Sequence, residues 1–231
     1  MKTLGLLGGM SWESTALYYR LLNQAVQARL GGLHSARLLL LSVDFHAIEA
    51  LQRAGDWDAA GASLAREAQA LEGAGAQGLV LCTNTMHRVA PAIEDAVRIP
   101  LLHIADATAR AVLAAGCSRV GLLGTRFTME QEFYRGRLER EHGIEVLVPP
   151  AEDRTEVHRV IYNELCLGRI EPASRARYRE VIANLVARGA QAVVLACTEI
   201  SLLVDASDAT VPLIDTTREH ALAAVAWALA D

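Results

Sequence analysis

The chain has 231 residues, 52% hydrophobic and 21% charged, a globular balance that supplies one large domain or two small lobes. Its net charge of −5 offers no basic field to nucleic acid or to an acidic membrane, and 5% aromatics leaves few platforms on which single-stranded bases could stack. No apolar run reaches the roughly 20 residues needed to span a bilayer, so neither nucleic acid nor membrane is an expected partner.

In chain order, short apolar runs alternate with longer amphipathic stretches. A strand is expected over 3–7, where the apolar run stops at Gly8; it is too short for a signal-peptide core and no small-residue cleavage site follows, so a cytoplasmic protein is expected. A helix over 14–29, a strand over 36–43, a helix over 58–73 and a strand over 78–81 come next, then a strand over 101–104 and a helix over 106–115. The second half repeats the alternation. It has strands over 120–123, 145–148, 192–196 and 211–214, and helices over 129–142, 154–167, 173–188 and 217–229. "GAGAQ" at 73–77 and "RGAQ" at 188–191 read as glycine helix stops that lead into strands. The strand runs are apolar without clean alternation, as parallel strands covered on both faces are, so the fold class is α/β with parallel sheets.

The halves are related by a repeat. Gly5-Leu6-Leu7-Gly8 recurs 116 residues later as Gly121-Leu122-Leu123-Gly124, and Gly75-Ala76-Gln77 recurs 114 later as Gly189-Ala190-Gln191. Cys82-Thr83 recurs 115 later as Cys197-Thr198, and Pro100-Leu101 recurs 112 later as Pro212-Leu213. Shared α/β grammar would explain the glycine motifs alone, but not the Cys-Thr pair. Two pseudo-symmetric lobes are therefore expected, one of residues 1–102 plus 213–231 and the other of 103–212. Ligands of open α/β sheets bind at the carboxyl ends of strands, so facing lobes would bring Cys82 and Cys197 to one ligand from opposite sides.

Four cysteines in a cytoplasmic chain read as free thiols. No C-x-x-C or H-E-x-x-H spacing supports a metal site. A cysteine between a strand and a helix is expected to have a lowered pKa. A Cys-His nucleophile is poorly served, because His87 lies five residues past Cys82 and Glu199, not a histidine, lies two past Cys197. Two thiols on opposite faces of one carbon suit proton removal from one face and delivery to the other, which is racemisation or epimerisation. Thr83, Asn84, Thr85 and Thr198 offer donors for a substrate carboxylate. The turns "LGGMSWEST" and "LGTRFT" match neither a phosphate loop nor a dinucleotide fingerprint. The single lysine, Lys2, is not set up for pyridoxal phosphate, so no cofactor is expected.

The stretches "LGLLGGMSWEST", "LCTNTMH", "LLHIADAT", "LLGTRFTMEQEFYRGRL", "NELCLGR" and "CTEISLL" resemble the aspartate/glutamate racemase superfamily, most nearly its broad-specificity amino-acid branch. The resemblance runs almost end to end. It implies two Rossmann-like lobes with the active site in the cleft between them, a cofactor-independent two-base mechanism, a small amino-acid substrate and a homodimer. By motif position it makes Cys82 and Cys197 the catalytic pair. Thr83, Asn84, Thr85 and Thr198 would hold the substrate carboxylate and amine, and Met10, Gln52, Thr125 and Glu164 would line the site. Members restricted to aspartate or glutamate are expected to meet the side-chain carboxylate with a basic residue. Gln52 and Glu164 stand there instead, which leans toward a neutral or polar side chain such as homoserine, although Arg53 and Arg159 are close enough in sequence to serve.

The remaining candidates have plainer readings. Cys117 and Cys166 read as structural, and His34, His142 and His220 as surface or helix-end residues. His87 and His103 stand equally well near the site or in the core. Trp12 reads as a lid or as packing between lobes, and Asp44 and His46 as loop hydrogen-bonders. The charged run 135–143 reads as a solvated helix face. A one-cysteine decarboxylase or a maleate-type isomerase would share the fold, a cysteine hydrolase lacks its histidine, and a two-lobed binding or sensor protein would not need matched thiols.

Overall fold

The computed structural model describes residues 1–230. They form two compact units, Met1–His103 with the C-terminal segment from His220, and Ile104–Glu219. The first unit runs β1 (Leu4–Gly8), α1 (Trp12–Leu30), β2 (Leu38–Ser42), α2 (Phe45–Ala54), α3 (Trp57–Gly73), β3 (Gly78–Leu81) and α4 (Ala90–Glu94). Its sheet is parallel, in the order β2-β1-β3, with Leu6 paired to Leu40 on one side and Val80 on the other. As the central strand, β1 is buried along its whole length, which is why LGLLG has no polar alternation. Leu4, Leu6 and Val80 face Tyr18 and Leu22 of α1, while Leu7, Leu79 and Leu81 face Leu64, Ala68 and Leu71 of α3. Short polar side chains start the helices: Ser11 accepts from the Ser14 amide, Asp44 from His46 and Asp56 from Ala59.

The second unit runs α5 (Ile104–Ala114), β4 (Arg119–Gly124), α6 (Arg126–Glu130), α7 (Glu132–His142), β5 (Glu145–Leu147), α8 (Ala151–Asn163), α9 (Pro172–Ala187), β6 (Ala192–Ala196), α10 (Ile200–Leu203) and β7 (Leu213–Asp215). Its parallel sheet has the order β5-β4-β6-β7. The final helix, α11 (Thr216–Leu229), carries the chain back, and its Ala221, Ala224 and Val225 complete the core beside Tyr18 and Leu22. Both sheets are thus parallel and helix-covered, the α/β architecture that the sequence indicates.

Four details differ from the sequence reading. Phe45–Ala54 is helical, started by Asp44 and stopped by left-handed Gly55. At 101–104 there is only an isolated bridge from Leu101 to Leu79, because Ile104 already begins α5. The single helix expected over 129–142 is broken at Gln131, which is extended. The break has a packing reason: Met129 joins Val157 and Val181, whereas Tyr134 and Leu138 join Ile104 and Val112 in a separate core, and one straight helix does not serve both. Finally, Leu213–Asp215 pairs with β6, so residues 213–219 go with the second sheet and the changeover falls at His220, within α11. Among the described residues no helix is long and apolar enough to cross a membrane.

Candidate active site

The two cysteine motifs occupy corresponding places in the two units. Cys82 directly follows β3, and its amide donates to Leu7 O at 2.9 Å, extending the ladder with β1 by one bond. Cys197 directly follows β6, whose Ala196 pairs with Gly124 of β4. In each unit the cysteine therefore leaves the carboxyl end of the strand beside the Gly-Leu-Leu-Gly strand. The registers add a detail that the repeat concealed. Leu7 pairs with Leu81 and Leu123 with Leu195, so Cys82 is one residue past that pair and Cys197 is two past it. Side chains alternate along a strand, so the thiols leave their sheets on different faces. Cys82 packs with Leu6 and Val80 against α1 and α11, and Cys197 against the α8–α9 core.

Around Cys82 the first unit gathers most of its candidates. Cys82 is fully buried; its Sγ donates to Val80 O at 3.7 Å and its carbonyl accepts from Ser14 Oγ at 3.1 Å. Thr83 is half-buried, and Asn84 and Thr85 are buried in the turn that follows. His87 Nδ1 lies 2.7 Å from Thr83 O, which fixes that nitrogen as the protonated one and ties the turn down. Gln52, on α2, donates to Met86 Sδ at 2.9 Å, so it reaches the residue next to Thr85. Met10 is buried in the turn after β1, in the same apolar core as Met86. Gly9 makes that turn possible: its φ is +93°, and a Cβ there would sit 2.2 Å from Val43 O.

The second unit places Thr198 and Glu199 beside Cys197. Glu199 Oε2 accepts from Cys197 Sγ at 3.0 Å and from Thr198 Oγ1 at 2.7 Å, and Glu199 is only 6% exposed. Thr125 follows β4 as the N-cap of α6, accepting from the Thr128 amide at 3.3 Å, which puts it at the strand end adjoining Cys197's. Glu164, just after α8, is committed to Arg159 Nη1 at 2.9 Å and to Ser174 Oγ at 2.6 Å. Arg159 also holds Glu156, and Arg53 pairs with Glu49 at 3.1 Å, so both candidate arginines are engaged locally.

The thiols are not acidified as the sequence reading expects. Burial pushes Cys82 far above its ordinary value. Burial, then the charge of Glu199, then Cys166, do the same to Cys197. Burial and Glu199 push Cys166 up to about 12. No helix dipole offsets this burial, because Cys82 leads into a five-residue 3-10 turn and Cys197 into the four-residue α10. Asp106, Glu141 and His142 bring ligand atoms within 4.8 Å of one another, but the Arg137 guanidinium fills that position, 2.6 and 2.9 Å from Asp106.

Three features escaped the sequence reading. Glu199 is visible as a spacing and is in fact a thiol partner. His220 is fully buried, between Tyr18 Oη at 2.8 Å and Leu102 O at 2.6 Å, and the rings of His87 and His103 meet edge-on nearby, 4.5 Å between centroids. Thr217, at the carboxyl end of β7, buries a hydroxyl without a hydrogen-bond partner among the described residues. The Pro-Leu repeat, which aligns His103 with Asp215, was the signal for this last region.

Residues 7–224 match the family described as Asp/Glu/Hydantoin racemase. The crystal structure of a proposed Asp/Glu racemase from Yersinia pestis is 59% identical, with a TM-score of 0.94 and 100% of both chains covered. That of an aspartate racemase homologue from Pyrococcus horikoshii is 32% identical, with a TM-score of 0.84 and 99% of both chains covered. The Picrophilus torridus aspartate racemase, 23% identical, shares the fold at a TM-score of 0.76, over 99% of this chain and 94% of that one.

Proposed function

The chain belongs to the Asp/Glu/hydantoin racemase family and is a racemase, and from that premise we propose that it inverts a small amino acid without a cofactor, using Cys82 and Cys197 as acid and base on opposite faces of the α-carbon. The observation that carries the reading is the matched pair of thiols, each at the carboxyl end of the strand beside a Gly-Leu-Leu-Gly strand. In one direction the Cys197 thiolate removes the α-proton while the Cys82 thiol delivers its own to the other face; in the reverse direction the roles exchange. The donors Thr83, Asn84, Thr85 and Thr198 hold the substrate carboxylate and amine, and stabilise negative charge as it develops at the α-carbon. Met10, Gln52, Thr125 and Glu164 meet the rest of the substrate.

The side-chain preference follows from charge. Gln52 is neutral, and Arg53 and Arg159 are each held in a local ion pair, so a second substrate carboxylate finds no free cation at these positions. We place the preferred substrate among amino acids with a neutral polar side chain, such as homoserine. Aspartate is the competing reading, in which Arg159 leaves Glu164 to meet the substrate; the aspartate racemase homologue at 32% identity favours it. The protein acts as a cytoplasmic homodimer. Chiral chromatography of a panel of single enantiomers, incubated with the protein and no cofactor, tests the substrate class. Neutral polar amino acids should invert at least about tenfold faster than aspartate. A preference for aspartate by that margin overturns the assignment.

A further inference from the structure

Both Cys-Thr turns are tied down by the same kind of bond. In the first unit the Thr83 carbonyl lies 2.7 Å from His87 Nδ1, and in the second the Thr198 carbonyl accepts from Ser201 Oγ at 2.9 Å. A serine reaches back three residues with its short side chain and needs no help. An imidazole must be steered, and its neighbours steer this one. The ring of His87 is buried, with the imidazole of His103 edge-on at 4.5 Å and that of His220 at 5.9 Å. His220 is itself fixed at both nitrogens, by Tyr18 Oη and by Leu102 O. The His87 backbone amide meanwhile donates to the Asn84 carbonyl at 3.1 Å, so one residue grips two successive carbonyls. We propose that His87 is a positioning residue, whose Nδ1–H holds the Thr83 peptide so that Thr83, Asn84 and Thr85 present their donors to the substrate. This deepens the reading above, in which these three hold the substrate carboxylate and amine, and rests on it.

The need for such a clamp follows from local structure. Thr85–Val89 is a single five-residue 3-10 turn, and 3-10 hydrogen bonds are poorly aligned, so the turn does not fix its own entry. Thr83 precedes it and is only half-buried. A carbonyl oxygen only accepts, so the hydrogen of this bond belongs to Nδ1. The flanking rings of His103 and His220 stop the imidazole from swinging away from the carbonyl. Without the bond the Thr83 peptide can rotate, and a donor set displaced by about 1 Å costs about 10²-fold in rate.

His87→Asn and His87→Gln separate positioning from the filling of space. The first places an amide N–H where Nδ1 stood; the second places it where Nε2 stood but fills more of the histidine's volume. Steady-state kinetics with homoserine, and separately with aspartate, should leave kcat/KM of His87→Asn within about threefold of wild type. His87→Gln should lose about 10²-fold, at least about tenfold of it through a raised KM. A residue that only filled the core would give the reverse order, because the longer side chain leaves the smaller void. A gap between the two variants of less than about tenfold, or the reverse order, overturns the proposal. If neither variant folds, the wild-type protein carries the test through 15N–1H NMR of its histidines, with the His87 ring assigned by its contacts to His103. Nδ1 should carry the proton, and a bare Nδ1 overturns the proposal. Thr85→Val shows which statement has failed. A raised KM there without the Asn–Gln contrast strikes the role of His87 alone, whereas an unchanged KM strikes the reading of the turn as the substrate's donor set.

Discussion

At the scale of single residues, the resting state of the thiols is the informative feature. Cysteine chemistry belongs to the thiolate, and both candidate thiols are held protonated, Cys82 by burial alone and Cys197 by burial and a neighbouring carboxylate. This has a pH consequence with a definite sign. A group whose pKa is raised on folding adds stability in full below its unfolded value, near 8.5 for cysteine, and loses it as pH rises toward the folded value. Unfolding by urea should therefore show stability falling above about pH 8.5, and Cys82→Ala should flatten that fall. Native Cys82 should also react with iodoacetamide more than about tenfold slower than in urea, and equal rates would contradict its burial. Glu199 shows what sequence can and cannot deliver at this scale. Its place two residues after Cys197 is plain, but a spacing does not say whether a carboxylate turns toward the sulfur or toward solvent. Only the contact at 3.0 Å decides it.

At the scale of elements, the alternation of apolar strand and amphipathic helix was legible because parallel strands buried on both faces need near-continuous apolar runs. The runs at 78–81 and 192–196 coincide with β3 and β6. The failures came where tertiary packing overrode a local pattern. The helical periodicity of 129–142 is real, yet Met129 and Tyr134 are wanted by different cores, so the helix breaks between them. The Pro-Leu run at 100–101 looks like a strand, yet the chain turns helical at Ile104 after a single bridge. His220 reads as a helix residue without a role, and the structure uses it to bind α11 to α1 and to the Leu102 carbonyl. Its Nε2 must carry the proton to donate to Leu102 O, so Nδ1 accepts from Tyr18 Oη. Tyr18→Phe removes that donor in a fully buried place and should cost about 1–3 kcal/mol in urea unfolding, with an unchanged m-value. A cost near zero would show that the α1–α11 link is not stabilising.

At the scale of the whole molecule, the repeat made the architecture readable: two α/β units, each with a strand that runs directly into Cys-Thr. The repeat did not reveal its own imperfection. The Cys-Thr pairs are 115 residues apart, but the strands carrying them pair in a register displaced by 114, from Leu81 to Leu195. The extra residue turns the two thiols to different sheet faces, and the companions differ as well, Asn84 in one unit and Glu199 in the other. Such duplication with divergence fits a reaction whose two directions are mirror images but whose resting proton must sit somewhere.

The most direct measurement is proton NMR of the cofactor-free protein in D2O with single enantiomers, following the α-proton signal alongside Cys82→Ser and Cys197→Ser. The two-thiol account predicts loss of the α-proton together with appearance of the opposite enantiomer, and loss of inversion in either variant. Inversion that survives either substitution, or no α-proton exchange with any amino acid, would contradict it.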